Sequence, residues 1–153
     1  MRIKNFLLVL LLFCYYTLFS QQIPPINIFT SEDYGAENQN WAISQSSNDF
    51  IYVANNIGLL EFNGSNWQLY KTPNKTIMRS VCSYKDKVFT GFYMDFGFWK
   101  KNPFGVLEYS SLVKSMDIKM LQEEDIWNII EIDGWVLFKS CLLYTSDAAD
   151  DLF

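Results

Sequence analysis

A glycine-bounded stretch, Gly91-Phe92-Tyr93-Met94-Asp95-Phe96-Gly97, sets a phenol and a carboxylate two residues apart where one strand ends and the next begins. A turn facing a central channel would present Tyr93 and Asp95 to a ligand. The competing reading is a hairpin in which Asp95 serves the backbone. Glu123-Glu124-Asp125 is a second concentration of carboxylates. Glycosidase-like chemistry needs two carboxyl groups facing one another across roughly 5 to 10 Å. Neighbours on a strand point to opposite faces, and in a loop they face water, so a solvated loop is expected. Asp49, Asp86 and Asp133 fall in hairpin turns, where aspartate is favoured for backbone reasons. Asn63-Gly64-Ser65 and Asn74-Lys75-Thr76 fit the glycosylation pattern but read as turns.

The chain contains no histidine. That excludes a serine–histidine triad, a histidine metal site and a phospho-accepting histidine from this stretch of chain. Phosphate-cradling glycine loops, zinc spacings and nucleophile elbows are also missing, so the sequence offers no catalytic residue, no metal site and no cofactor. Twelve basic residues face 17 acidic ones, which leaves no electrostatic footprint for nucleic acid.

The two ends differ from the middle. Arg2 and Lys4 precede an apolar run from Phe6 to Phe19, and Ser20 offers a cleavage point, the pattern of a secretory signal peptide over 1–20. The run falls short of the roughly 20 residues that cross a bilayer as a helix. Leu11, Leu12 and Phe13 before Cys14 do not make a lipobox. At the other end, Cys141 to Asp151 resembles a translated sequencing adapter, so 141–153 is set aside. Cys82 is then the one remaining cysteine, expected as a buried small hydrophobe.

Between those ends, short apolar and aromatic runs alternate with a period near two, separated by turn residues. After an extended leader over 21–40, which either leads into the fold or supplies a closing strand, strands are expected at Trp41 to Gln45, Phe50 to Ala54, Gly58 to Phe62 and Trp67 to Lys71. Met78 to Tyr84, Val88 to Tyr93, Phe96 to Lys101 and Val106 to Ser110 follow, then Ile126 to Ile132 and Trp135 to Lys139. The connection Leu112 to Asp125 has room for an edge strand around Ile118 to Leu121. Ile43, Val81 and Ile129 hold equivalent places, 38 and then 48 residues apart. Four strands repeating every 40 to 50 residues or so mark a propeller blade. The expected fold is all-β: an incomplete β-propeller of about two and a half four-stranded antiparallel blades, following an N-terminal signal helix. It spans 41–140, with units near 41–73, 77–112 and 126–140. Trp41, Trp67, Phe92, Tyr93, Phe96, Phe98, Trp99, Trp127 and Trp135 are expected to fill the space between blades.

The stretch NWAISQSSNDFIYVANNIGLLEFNGSNW resembles the two-component-regulator propeller repeat, and TIMRSVCSYKDKVFTGFYMDFGFWKKNPFGVLEYSSL extends the likeness. It is most similar to the N-terminal sensor region of triple-tyrosine-motif regulators. The second unit departs from the pattern, with Val88-Phe89-Thr90-Gly91 where a tryptophan is usual. The resemblance implies a periplasmic propeller, an immunoglobulin-like domain, a transmembrane helix and a cytoplasmic output, either a LuxR-type helix-turn-helix or a histidine kinase. It also implies an exported sensor whose partners are a small molecule or glycan and the remaining blades of its own chain. The lack of catalytic motifs makes this stretch non-enzymatic, with a histidine kinase as one alternative farther along the chain. Membrane contact would come only through the signal peptide or a downstream helix. A secreted polysaccharide-active enzyme and an adhesion or scaffold propeller are the alternatives.

Overall fold

The computed structural model of the chain describes residues 24–115 and 123–140, with Ile3, Lys4 and Phe6. Most of the expected signal segment, the edge strand expected around Ile118 to Leu121, and the tail from Cys141 lie outside those residues.

The fold is all-β, with ten strands in three antiparallel sheets among the described residues. The first sheet is a meander of β1 (Asn40–Gln45), β2 (Ile51–Asn55), β3 (Gly58–Phe62) and β4 (Trp67–Lys71). The second repeats it with β5 (Met78–Tyr84), β6 (Lys87–Phe92), β7 (Asp95–Lys101) and β8 (Leu107–Ser111). The third pairs β9 (Ile126–Ile132) with β10 (Trp135–Ser140). Among the described residues no sheet closes on itself.

Turn chemistry fixes this order. Asn63 accepts the backbone N–H groups of Ser65 and Asn66 at 3.0 and 2.8 Å, folding β3 back onto β4. Asp133 and Gly134 have φ of 51° and 87°, the paired left-handed angles that a two-residue hairpin needs between β9 and β10. Short links of this kind join only strands that are already neighbours.

The three sheets stack face to face but not evenly. Their first strands stand side by side, β1 against β5 and β5 against β9, whereas among the described residues the outer strand β4 has no comparable neighbour in the second sheet. Side-chain size follows the opening gap. Near the inner edge Ala42, Ala54, Ser80 and Gly91 keep backbones close, and the Ser83 N–H donates to Ser44 Oγ across the gap at 2.8 Å. Farther out Tyr70 meets Trp99 at 5.9 Å between ring centres, and Trp99 meets Tyr109 at 5.2 Å. Phe96 and Phe138 do the same between the second and third sheets at 4.4 Å. The core between the first two sheets gathers Tyr52, Leu59, Met78, Val88, Phe92 and Trp99. Each such side chain contributes roughly 1.5 to 3 kcal/mol on burial.

Among the described residues two short helical turns accompany the strands, α1 (Ser31–Tyr34) before the first of them and α2 (Leu112–Ser115) after the eighth. The first lies in the stretch expected to be extended. Thr30 caps it by donating its backbone N–H and its hydroxyl to Asp33 Oδ2, at 2.7 and 2.8 Å. The leader forms no strand over 24–30. It docks by side chains instead, with Phe29 against Phe62 and Trp67 and Tyr34 against Trp67.

Candidate functional site

Connectivity gathers one set of loops at one end of the stack. The starts of β1, β5 and β9 lie there with the β2–β3 and β6–β7 turns. Tyr93 and Met94 form the β6–β7 turn and Asp95 opens β7. Met94 takes φ 57°, and its N–H donates to the Glu124 carbonyl at 2.7 Å. Tyr93 pairs with Asp125 in an isolated bridge, and its carbonyl accepts from Asn74 Nδ2 at 2.9 Å. Its ring stays exposed. Asp95 is half-buried and accepts the Ser111 hydroxyl at 2.6 Å. Beside it, burial first and the Asp95 charge second push the Tyr109 phenol above its ordinary pKa.

The acidic run departs from the expected solvated loop. Glu124 is 4 % exposed, and Asp125 lies 3.8 Å from Arg79 Nε. The bridge to Tyr93 and the Met94–Glu124 bond draw this backbone onto the end of the second sheet, away from water.

Arg79 belongs to a repeated feature. In β1 the register passes from Asn40 to Ala42 against consecutive partners, leaving Trp41 unpaired in a bulge. In β5 it passes from Met78 to Ser80, leaving Arg79. In β9 it passes from Ile126 to Asn128, leaving Trp127. A bulge re-aims its side chain and bends the strand. The three bulged residues meet. The Arg79 guanidinium carbon sits 4.1 Å from the centre of the Trp41 ring and 4.7 Å from that of Trp127. The two indoles meet edge to face at 6.1 Å. Trp41 Nε1 donates to Asn56 Oδ1 at 2.8 Å, so the β2–β3 turn holds the first indole in place. Buried Asn55 anchors that turn by donating to the carbonyls of Glu37 and Gln39.

Of the aromatic residues expected between sheets, Phe92 and Trp99 are buried there. Trp41 and Trp127 instead keep 40 % and 45 % of their surface, because the bulges turn them to the inner edge. Trp135 is 74 % exposed on the open face of the third sheet. Arg79 was not singled out by the sequence. The signal was available: it stands two residues before Val81, as Trp41 and Trp127 stand before Ile43 and Ile129.

At the opposite end, Lys85, Lys87, Lys100 and Lys101 surround a cleft of about 460 Å³ between the first two sheets. Their charges are partly taken up: Lys100 pairs with Asp86 at 2.7 Å and Lys101 with Glu61 at 3.1 Å. A second groove, of about 430 Å³, runs along the open face of the first sheet past Trp41, Ile43 and Trp67. Among the described residues no helix is long and apolar enough to cross a membrane. The chain matches no protein-family model, no curated protein and no solved structure.

Proposed function

We propose that the chain carries the extracytoplasmic, ligand-sensing propeller of a membrane-anchored signalling or transcriptional regulator, reporting on a carbohydrate or another nutrient. One observation carries the reading: successive antiparallel meanders stand with their first strands together and their outer strands apart. Sheets that splay in this way generate a ring when repeated, and the ring gathers the loops of one end around an axis. The open faces fit the same reading. Ile43 is exposed on the first sheet, and Ile130, Ile132, Trp135 and Leu137 are exposed on the third. Further sheets of the same kind would cover them, since each blade hides its apolar faces only against neighbours.

In this reading the loop end that carries Tyr93, Asp95 and the Trp41–Arg79–Trp127 column faces the ligand. Ligand contacts spanning several sheets would favour one relative arrangement of those sheets. Such a preference biases an equilibrium only as far as the ligand binds one state better than the other. The resemblance of the repeats to regulator propellers supports the signalling output, and the splay of the sheets supports the ring.

The test is a thermal-shift screen of the chain against a panel of neutral and acidic glycans. At least one should raise the melting temperature saturably, by a few degrees at a hundredfold excess over its Kd. A panel without any shift would remove carbohydrate from the reading.

A further inference from the structure

We propose that Trp41, Arg79 and Trp127 form a binding site for a small monocarboxylate that carries an apolar ring. The proposal deepens the sensing reading by naming a ligand class, and it rests on that reading only for the consequence of binding.

The first support is placement. Three bulges at one repeat position are an unusual outlay of ladder hydrogen bonds, because each leaves a residue unpaired. All three send their side chains to one spot on the inner edge. If the aim were only to glue sheets together, residues on the packed faces would suffice, as Tyr70, Trp99 and Tyr109 show farther out.

The second is the state of the guanidinium. Arginine has five N–H donors in a planar fork that matches a carboxylate with two parallel bonds. Among the described residues the buried Arg79 Nε has no hydrogen-bond partner, and Asp125 Oδ1 lies 3.8 Å from it. The side chain is 15 % exposed, so its outer nitrogens stay within reach of a ligand from solvent. A cation held between indoles with unfilled donors is poised for a planar oxyanion.

Charge then selects among anions. Asp125 offsets much of the single positive charge at the Nε side. What remains suits one negative charge better than the two of a phosphate. The exposed parts of Trp41 and Trp127 flank the guanidinium, and indole surface favours a flat apolar body. The site thus reads charge with Arg79 and shape with the two rings.

The full chain would be titrated with phenylacetate, its neutral isostere phenylacetamide, acetate and inorganic phosphate, following tryptophan fluorescence. Phenylacetate should bind saturably, with phenylacetamide and phosphate each weaker by about tenfold or more, and acetate weaker than phenylacetate. R79K keeps the charge but loses the fork, and should weaken phenylacetate by about tenfold or more. D125N removes the competing charge, and should tighten phenylacetate and narrow its lead over phosphate. Equal binding of acid and amide, no binding of phenylacetate up to about 10 mM, or affinities unchanged in both variants would overturn the site. A glycan shift alongside any of those failures would leave the sensing reading standing while this site fell. Carboxylate binding lost in R79K, with no glycan shift, would keep this site and remove carbohydrate from the sensing reading.

Discussion

Tyr109 points its hydroxyl into the gap between the first two sheets, beside Asp95. Burial, and then the carboxylate, raise the phenol above the usual tyrosine value of 10.0, and Tyr52 next to Glu61 is raised in the same order of causes. The sign follows directly. In the folded chain both phenols stay neutral, while in the unfolded chain they ionise from pH 10 upward, so their contribution is whole below pH 10 and is lost as pH rises toward the folded values. Urea midpoints should therefore fall above pH 10, and Tyr109→Phe should flatten that fall; an unchanged slope would contradict the assignment. Glu61 gives a second test. It is 7 % exposed, with Lys101 Nζ at 3.1 Å. Lys101→Met strands that carboxylate and should cost about 2 kcal/mol in chemical denaturation, less than a fully buried pair because Lys101 is one-third exposed. At this scale the sequence was only partly legible. Aspartates in turns could be read from backbone preference, but a bulge is a register fault that composition does not announce, so Arg79 looked like any strand residue.

The strands were the most legible elements. Gly58–Phe62, Trp67–Lys71, Met78–Tyr84 and Ile126–Ile132 fall where the alternation placed them, and the other six differ at their ends by one residue at a time. Alternation works because one face of each strand packs and because asparagine, aspartate and glycine punctuate the turns. The helical turn Ser31–Tyr34 escaped because its cause is local, a Thr30–Asp33 capping pair in a stretch with no periodicity to read. The pairing of consecutive strands could be read from the turns, but the closest contacts between sheets could not. Gly91 shows why: a Cβ there would lie 2.5 Å from Ile126 Cγ2 and 2.6 Å from Ser80 Oγ. The bare glycine lets β9 approach β6, and Ser80 Oγ donates to the Ile126 carbonyl at 2.8 Å. Gly91→Ala should push the third sheet away at a cost of roughly 1 to 3 kcal/mol. Hydrogen exchange should show protection falling across 126–140 while β1 to β4 keep theirs, and a uniform loss would speak against separate sheets packed in series.

At the scale of the whole molecule, the repeat at 38 and 48 residues pointed to successive four-stranded units, and the three sheets stand in that order. Their splay was beyond the sequence, since it depends on how small inner and large outer side chains share one gap. That splay separates a radiating stack from a flat sandwich, whose facing sheets keep one spacing of about 10 Å. Paired spin labels measure it directly, in a background with the native cysteines replaced. Labels at exposed Gln45 and Lys85 report the inner edges of the first two sheets, and labels at exposed Gln68 and Glu108 report their outer strands. The radiating stack requires the outer pair to lie farther apart than the inner pair. Equal distances, or a shorter outer one, would contradict it and with it the ring on which the sensing reading depends.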